Sequence, residues 1–254
     1  MSKRYSFRTN KAVKMKLLPC FLLYVLLAAG TSLAVDVNWL TKVVKVIITR
    51  YQIQDKHYSL AVTIPQQQDP NKLYEVLKDD KPENVKKSVD EGKVYEGTRM
   101  IFSVPIKPDH AERLVLQKLS SLRKYTKNNF LLIYSYLSPC RTCTDRKSEY
   151  NILKLIERDV HYWPDGAFVF TRVFDQPKSE NEPKDREEII HSLYEVGCSM
   201  GGLKYIFRCD GPSNSPLECH SCDERFRASE FCITNSPQPP QAGSSGTNTQ
   251  GNRG

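Results

Sequence analysis

Apolar positions after residue 57 follow two alternating patterns, and this alternation predicts an α/β fold. Short apolar runs typical of strands are separated by segments with helical periodicity. The run 130–133 has no polar alternation, which indicates a strand buried on both faces of a sheet. We therefore expect a three-layer α/β/α architecture around a central mixed sheet of about five strands. The predicted strands are 58–65, 99–104, 130–137, 166–174 and 203–208, and the predicted helices begin near His110 and Cys140 and span 186–196.

Segments of different composition flank this alternation. Apolar residues recur at helical spacing before the first strand, at Leu40, Val43, Val44, Ile47 and Ile48. The charged stretch 69–93 predicts short surface helices and turns, and the last 20 residues have almost nothing to bury. We predict an N-terminal helical segment at 35–57, the α/β domain at 58–208, a cysteine-rich segment at 209–234 and a disordered tail at 235–254.

The first 34 residues have the layout of a secretory signal peptide. A basic start precedes an apolar run at 17–30, and the small residues Ser32 and Ala34 follow it. A membrane anchor is the alternative, but the run contains Pro19 and is shorter than the roughly 20 residues that span a bilayer. We expect cleavage after residue 34 and a secreted, extracellular protein with no membrane attachment. The start of translation is either Met1 or Met15.

Charge gives a weak case for binding a polyphosphate backbone. The whole chain has 37 basic and 29 acidic residues, a net charge of +8. Six of the basic residues precede residue 35, where there is no acidic residue, so the mature chain retains 31 against 29. The remaining net charge of +2 does not by itself predict a nucleic-acid-binding protein. The sequence does not specify an oligomeric state.

An acid, an imidazole and another acid lie at the start of the helix predicted near His110. A purely structural explanation is a capping box, in which Asp109 is the N-cap and Glu112 reaches back to it. The buried stripe of this helix is expected to contain Ala111, Leu114, Val115, Leu119 and Leu122. These residues taken alone require no chemical function.

The sequence "SPCRTC" at 138–143 changes that interpretation. With Ser138 as N-cap and Pro139 at the first helical position, Cys140 and Cys143 project from one face of the first turn. The helix dipole lowers thiol pKa values there, which suits metal ligation. A disulfide and a thioredoxin-like redox pair are the alternatives. His110 from the neighbouring helix supplies a third ligand, and three protein ligands leave the fourth position that catalytic zinc sites keep open.

Together these residues resemble the signature of the zinc-dependent cytidine deaminase superfamily, H-x-E followed by P-C-x-x-C. Here His110-Ala111-Glu112 is followed, after 26 residues, by Pro139-Cys140-Arg141-Thr142-Cys143. The Ser-Pro-Cys sequence and the spacing are most similar to the AID/APOBEC branch. Leu137 stands where that branch carries an aromatic residue. The resemblance assigns the segment 58–208 to a deaminase-like domain.

The resemblance implies a zinc cofactor held by His110, Cys140 and Cys143, and a role for Glu112 as proton shuttle. The implied reaction is hydrolysis of the exocyclic amine of a cytosine-type base to the keto form, with release of ammonia. The implied partner is a nucleobase-containing substrate: a free base, a nucleoside or a single-stranded nucleic acid. Aromatic residues close in sequence to the motif are candidates for stacking on the base, namely Tyr134, Tyr136, Tyr162 and Trp163.

Five further cysteines follow the motif. They are Cys198, Cys209, Cys219, Cys222 and Cys232. In a secreted chain they predict two disulfides and one remaining thiol, with the connectivity open. A second zinc site at Cys219-His220-Ser221-Cys222 is the alternative. A stapled segment of this kind also supports a different function, that of a secreted, disulfide-stapled deaminase-fold binding module without turnover.

Overall fold

A mixed sheet of seven strands lies between two layers of helices in the computed structural model, which describes residues 35–53, 57–174, 186–211 and 216–235. The strands are β1 (Ser59–Pro65), β2 (Tyr95–Glu96), β3 (Met100–Ser103), β4 (Asn129–Leu137), β5 (Asp165–Arg172), β6 (Ile206–Asp210) and β7 (Glu218–Ser221), in the order β2-β3-β1-β4-β5-β6-β7. Two short strands, β8 (Asp223–Glu224) and β9 (Arg227–Ala228), form a separate hairpin.

The helices are α1 (Val37–Tyr51), α2 (Leu73–Val76), α3 (Pro82–Asp90), α4 (Ala111–Gln117), α5 (Arg141–Thr144), α6 (Leu153–Asp159), α7 (Arg186–Met200) and α8 (Glu230–Ile233). Short 3-10 helices lie at Pro70–Lys72, Leu119–Tyr125, Val160–Tyr162 and Leu203–Tyr205. The predicted three-layer fold and mixed sheet are confirmed. The sheet has seven strands and not about five, because the short strands β2 and β7 extend its two edges.

Strand directions bring several carboxyl ends to one edge of the sheet. β4, β5 and β6 are parallel, with Ile133 opposite Phe168 and Phe168 opposite Ile206. β1 is antiparallel to both β3 and β4, so β3 also runs in the direction of β4. The ends of β3, β4 and β5 therefore meet the start of β1 at the same edge, where crevices form in α/β sheets.

Each face of the sheet has its own core. Successive strand residues point to opposite faces, so Leu60 and Val62 pack against α1 while Ala61 faces the layer that contains α4. Leu40, Val43, Val44 and Ile47 of α1 are buried as the sequence predicts, and Asp36 accepts from the first free amides of this helix. Burial on both faces explains why the central strands lack polar alternation.

The helix predicted from His110 is shorter than its apolar stripe. α4 ends at Gln117, and the chain continues as the 3-10 helix Leu119–Tyr125. This change of helix type alters the period from 3.6 to 3.0 residues per turn. Within α4, Leu116 is buried, whereas Leu114 of the predicted stripe is only half-buried.

The cysteine-rich segment contains two disulfides. Cys209 of β6 is bonded to Cys219 of β7, and Cys222 is bonded to Cys232 of α8. The remaining thiol, Cys198, is exposed on α7. The prediction of two bridges and one free thiol is confirmed. The alternative of a second zinc site is wrong, because Cys219 and Cys222 each form a disulfide and cannot ligate a metal as thiolates.

The ends of the chain are described only in part. The predicted signal peptide at 1–34 lies outside the described residues, as do residues 236–254 of the predicted tail. Asn235, the first residue of that tail, is held against the backbone of Val173. Across the described ranges, no helix combines the length and apolar character needed to cross a membrane.

Candidate metal centre

His110, Cys140 and Cys143 come together at the edge where β4 and β5 end. His110 immediately precedes α4, Cys140 immediately precedes α5, and Cys143 lies within the single turn of α5. The Thr144 hydroxyl closes this turn by donating to the Cys140 carbonyl at 3.1 Å. The same hydroxyl lies 3.0 Å from the hydroxyl of Ser192, which fixes α5 against α7.

The three side chains present one compact set of ligand atoms. His110 Nδ1 lies 3.1 Å from Cys143 Sγ and 3.6 Å from Cys140 Sγ. The two sulfur atoms are 3.0 Å apart and are not bonded to each other. All three ligand atoms lie within 4.8 Å of one another. The alternative of a Cys140–Cys143 disulfide is therefore absent from this structure, and the predicted ligands converge.

The helix caps differ from the predicted ones. α4 begins at Ala111 with His110 at the N-cap, and Asp109 forms an ion pair with Arg113 instead of capping the helix. Because His110 and not Asp109 is the N-cap, the helix begins one residue later than a capping box of Asp109 and Glu112 requires, and that explanation of Glu112 is wrong. α5 likewise begins at Arg141, so Ser138 and Pro139 precede the helix and its cap.

Glu112 is a buried carboxyl group at the base of the site. Only 7% of the residue is exposed, and Ser135 donates a hydrogen bond of 2.9 Å to its Oε1 atom. Burial raises the pKa of Glu112, while the hydrogen bond from Ser135 and the nearby His110 oppose this increase. A carboxyl group in this environment is suited to both accepting and releasing a proton.

The two thiols influence each other strongly. Hydrogen bonds donated by Cys143 and by His110 stabilise the thiolate of Cys140 and lower its pKa. The pKa of Cys143 is raised, because its sulfur donates to Cys140 and is itself buried. A second thiolate at this place requires a nearby positive charge, which a divalent cation provides. Imidazole and thiolate are the donors that zinc prefers, so the residues fit this metal.

A cavity of about 540 Å³ opens over the ligand set. His110, Cys140, Glu112 and Ser135 line its base. The surrounding wall contains His57, Tyr58, Lys107, Leu137 and Phe174. Its size is in the range of small-molecule sites in proteins.

Most of this wall is not predicted by the sequence. Phe174 lies just beyond β5, and His57 and Tyr58 lie just before β1. Strand direction explains why these residues lie at the site, because an antiparallel β1 starts at the edge where β4 and β5 end. This relationship is apparent only once strand order is known.

The four aromatic residues predicted to stack on a base do not line the cavity. Tyr134 points to the α1 face of the sheet, where its hydroxyl lies 2.9 Å from the Thr171 hydroxyl. Tyr136 is 5.6 Å from the His57 ring, measured between ring centres. Tyr162 and Trp163 precede β5 and therefore lie at the opposite edge of the sheet. Eight strand residues at about 3.3 Å each separate them from the site.

Comparison with known protein families agrees with this geometry. The family model described as Secreted Novel AID/APOBEC-like Deaminase 1 matches residues 37–236 of the chain. The matched region includes the ligand set, the buried carboxyl group and both disulfides. No curated protein matches the chain.

Proposed function

The chain belongs to the Secreted Novel AID/APOBEC-like Deaminase 1 family, and from this premise we propose that it is a zinc-dependent hydrolase acting on a cytosine-type base. The single observation that carries the proposal is that the buried Glu112 carboxyl group lines the same cavity as His110 and Cys140, two of the three clustered metal-ligand residues. A structural cluster of cysteines has no need of a buried carboxylate facing open space.

The three ligand residues would hold the zinc ion from one side. His110 and Cys140 line the cavity, whereas Cys143 is only 1% exposed and does not line it. This arrangement leaves the cavity side for water and substrate. When bound, zinc supplies a Lewis acid that makes water reactive at neutral pH.

Glu112 would move the protons of the reaction. Its carboxylate accepts a proton from the attacking water and delivers it to the ring nitrogen of the base. The new carbon–oxygen bond forms at the carbon that carries the amine, and the carbon–nitrogen bond then breaks. Glu112 then takes the remaining proton from the new hydroxyl group and gives it to the departing amine, so base and water become the keto product and ammonia. Ser135 holds the carboxylate in place during these transfers.

The cavity wall supports a substrate that carries a nucleobase. Tyr58 and Phe174 offer apolar surface, while His57 and Lys107 offer polar groups at the same wall. We propose a free base, a nucleoside or a single-stranded nucleic acid as the form of the substrate. Lys107 is exposed, so a phosphate group on the substrate would meet a positive charge there.

The test compares Glu112→Gln with Glu83→Gln. Glu83 is a matched control because it is also in the first turn of a helix, α3, but is exposed on the surface. Ammonia release is measured from cytidine, deoxycytidine, adenosine and single-stranded oligonucleotides, together with zinc content. Glu112→Gln should retain zinc and lose about 10²- to 10⁴-fold of the activity, the usual contribution of general acid-base catalysis.

Two results would contradict the proposal. If the zinc-loaded chain releases no ammonia from any of these substrates, the proposed enzymatic function is excluded and the function as a binding module is favoured. If Glu112→Gln and Glu83→Gln are equally active, Glu112 is not the proton shuttle.

A further inference from the structure

Side chains from three separate parts of the chain hold the backbone between Thr171 and Phe174. Arg208 Nε donates to the Thr171 carbonyl at 2.9 Å. Asn235 accepts from the Val173 amide at 2.9 Å and donates to the Val173 carbonyl at 3.0 Å. The Ser138 hydroxyl accepts from the Phe174 amide at 2.9 Å. This short segment leads from β5 to the cavity wall, so these bonds decide where Phe174 lies.

Arg208 is an unusual residue for the interior of a domain. It lies on β6 and is completely buried. Its Nη1 donates to the carbonyls of Phe231 at 2.7 Å and Thr234 at 2.6 Å, and its Nη2 donates to the Asp210 carboxylate at 2.6 Å. A buried guanidinium is tolerated only when its donors are satisfied, and here they bind the end of α8 as well as Thr171. Arg208 therefore links the support of Phe174 to α8.

The Cys222–Cys232 disulfide fixes α8 in turn. Cys222 donates its amide to the Ile206 carbonyl at 2.9 Å, which attaches this end of the bridge to β6. Cys232 lies within α8, three residues before Asn235. Both cysteines are fully buried in the core that also contacts Phe174. The bridge thus joins the sheet to the segment that carries Asn235.

We propose that Arg208 and Asn235 are positioning residues for the Phe174 wall of the cavity, and that the Cys222–Cys232 disulfide keeps this support in place. The part that concerns substrate binding rests on the proposed function. Neither residue lines the cavity, so both act through Phe174. The cysteine-rich segment is then a support of the site, in addition to stapling the fold.

The first experiment measures the backbone directly and needs no substrate. Amide hydrogen exchange at Val173 and Phe174 is measured by NMR in the full chain and in Asn235→Ala. Exchange at Val173 should be faster by about tenfold, the factor expected for losing two hydrogen bonds of ordinary net strength. Asn235→Asp keeps the oxygen that accepts from the Val173 amide, so it should restore most of the protection.

Thr234→Ala is the matched control for this experiment. The Thr234 hydroxyl donates only to the Glu230 carbonyl, and its own carbonyl still accepts from Arg208 after the substitution. It should leave exchange at Val173 and Phe174 unchanged. Equal exchange in Asn235→Ala and the unsubstituted chain would overturn the positioning role.

The second experiment compares the two disulfides. Each bridge closes the same sequence separation of 10 residues, so their effects on the unfolded chain are matched. The pair Cys222→Ala and Cys232→Ala should accelerate exchange at Val173, whereas the pair Cys209→Ala and Cys219→Ala should not. If both pairs change this exchange equally, the Cys222–Cys232 bridge has no specific role in the support.

The third measurement separates this inference from the proposed function. With a substrate found by the ammonia-release assay, Asn235→Ala should raise KM by at least about threefold and change kcat by less than about twofold, because the zinc ligands and Glu112 are untouched. An altered exchange rate with unchanged KM would overturn the role in substrate binding. If no substrate is turned over, the proposed function fails while the exchange result still decides the positioning role.

Discussion

Ser135 at the end of β4 donates a 2.9 Å hydrogen bond to the carboxylate of Glu112, on the helix α4 that packs on β1 and β3. The two residues are 23 positions apart, and both are buried. The strand thus holds the proposed proton shuttle at the edge of the sheet where the metal ligands converge.

Removal of this bond should reduce activity without removing the metal. For Ser135→Ala we expect about a tenfold loss in kcat, because a hydrogen bond to a charged group is worth about 1.5 to 3 kcal/mol and part of it is replaced by water. Zinc content should stay unchanged. Ser59→Ala is the control, since Ser59 faces Ser135 across the strand pair but donates to the Tyr134 carbonyl. Equal kcat values for the two variants would contradict a role for Ser135.

The cysteines should fall into three classes of reactivity. Cys198 is an exposed free thiol, so it should be alkylated at once in the native protein. Cys140 and Cys143 should react only after a chelator is added, because a ligated thiolate is not free. Peptide mapping without reductant should recover Cys209–Cys219 and Cys222–Cys232. A Cys140–Cys143 disulfide in freshly purified protein would exclude the zinc site.

Loss of the imidazole ligand should abolish zinc binding. His110→Ala leaves only the two thiols of the ligand set, and we expect zinc content to fall from one per chain and ammonia release to stop. The matched control is His161→Ala, since His161 is also an exposed histidine but lies in the 3-10 helix Val160–Tyr162. Elemental analysis of the purified variants makes the comparison. A His110→Ala protein with full zinc content would show that the ligands lie elsewhere.

Arg208 should contribute strongly to stability. Arg208→Ala leaves the carbonyls of Thr171, Phe231 and Thr234 without this donor and removes the partner of Asp210. We expect the free energy of unfolding to fall by about 3 to 5 kcal/mol, the usual cost of breaking a buried ion pair. Urea denaturation measures this change. The control is Arg227→Ala, at an exposed residue of β9, which should change the free energy of unfolding by less than about 0.5 kcal/mol. Similar losses of stability in the two variants would contradict a stabilising role for Arg208.

The mature chain should begin near Val35. Asp36 accepts from the amides of Asn38 at 2.9 Å and Trp39 at 3.1 Å, so a chain cut after Ala34 retains the N-cap of α1. N-terminal sequencing of secreted protein tests this boundary. Recovery of an intact segment 17–30 would contradict cleavage.

Much of the fold could be predicted from local pattern. The apolar runs at 58–65 and 130–137 predict strands and the helical spacing at 186–196 predicts a helix, because each pattern extends over several consecutive residues. The edge strands β2 and β7 were not predicted. They have two and four residues, and their pairing partners, not their own sequences, make them strands.

The chemical groups of the site can be predicted from the sequence, whereas their surroundings depend on the tertiary fold. The motif of His110, Glu112, Cys140 and Cys143 can be recognised in the sequence because all four residues lie at the starts of two predicted helices. Which cysteines are bridged, and which side chains wall the cavity, depends on strands that approach one another from distant parts of the chain. Only the tertiary structure shows the roles of Ser135, Phe174 and Asn235. A hydrogen bond between residues far apart in sequence produces no periodic pattern along the chain.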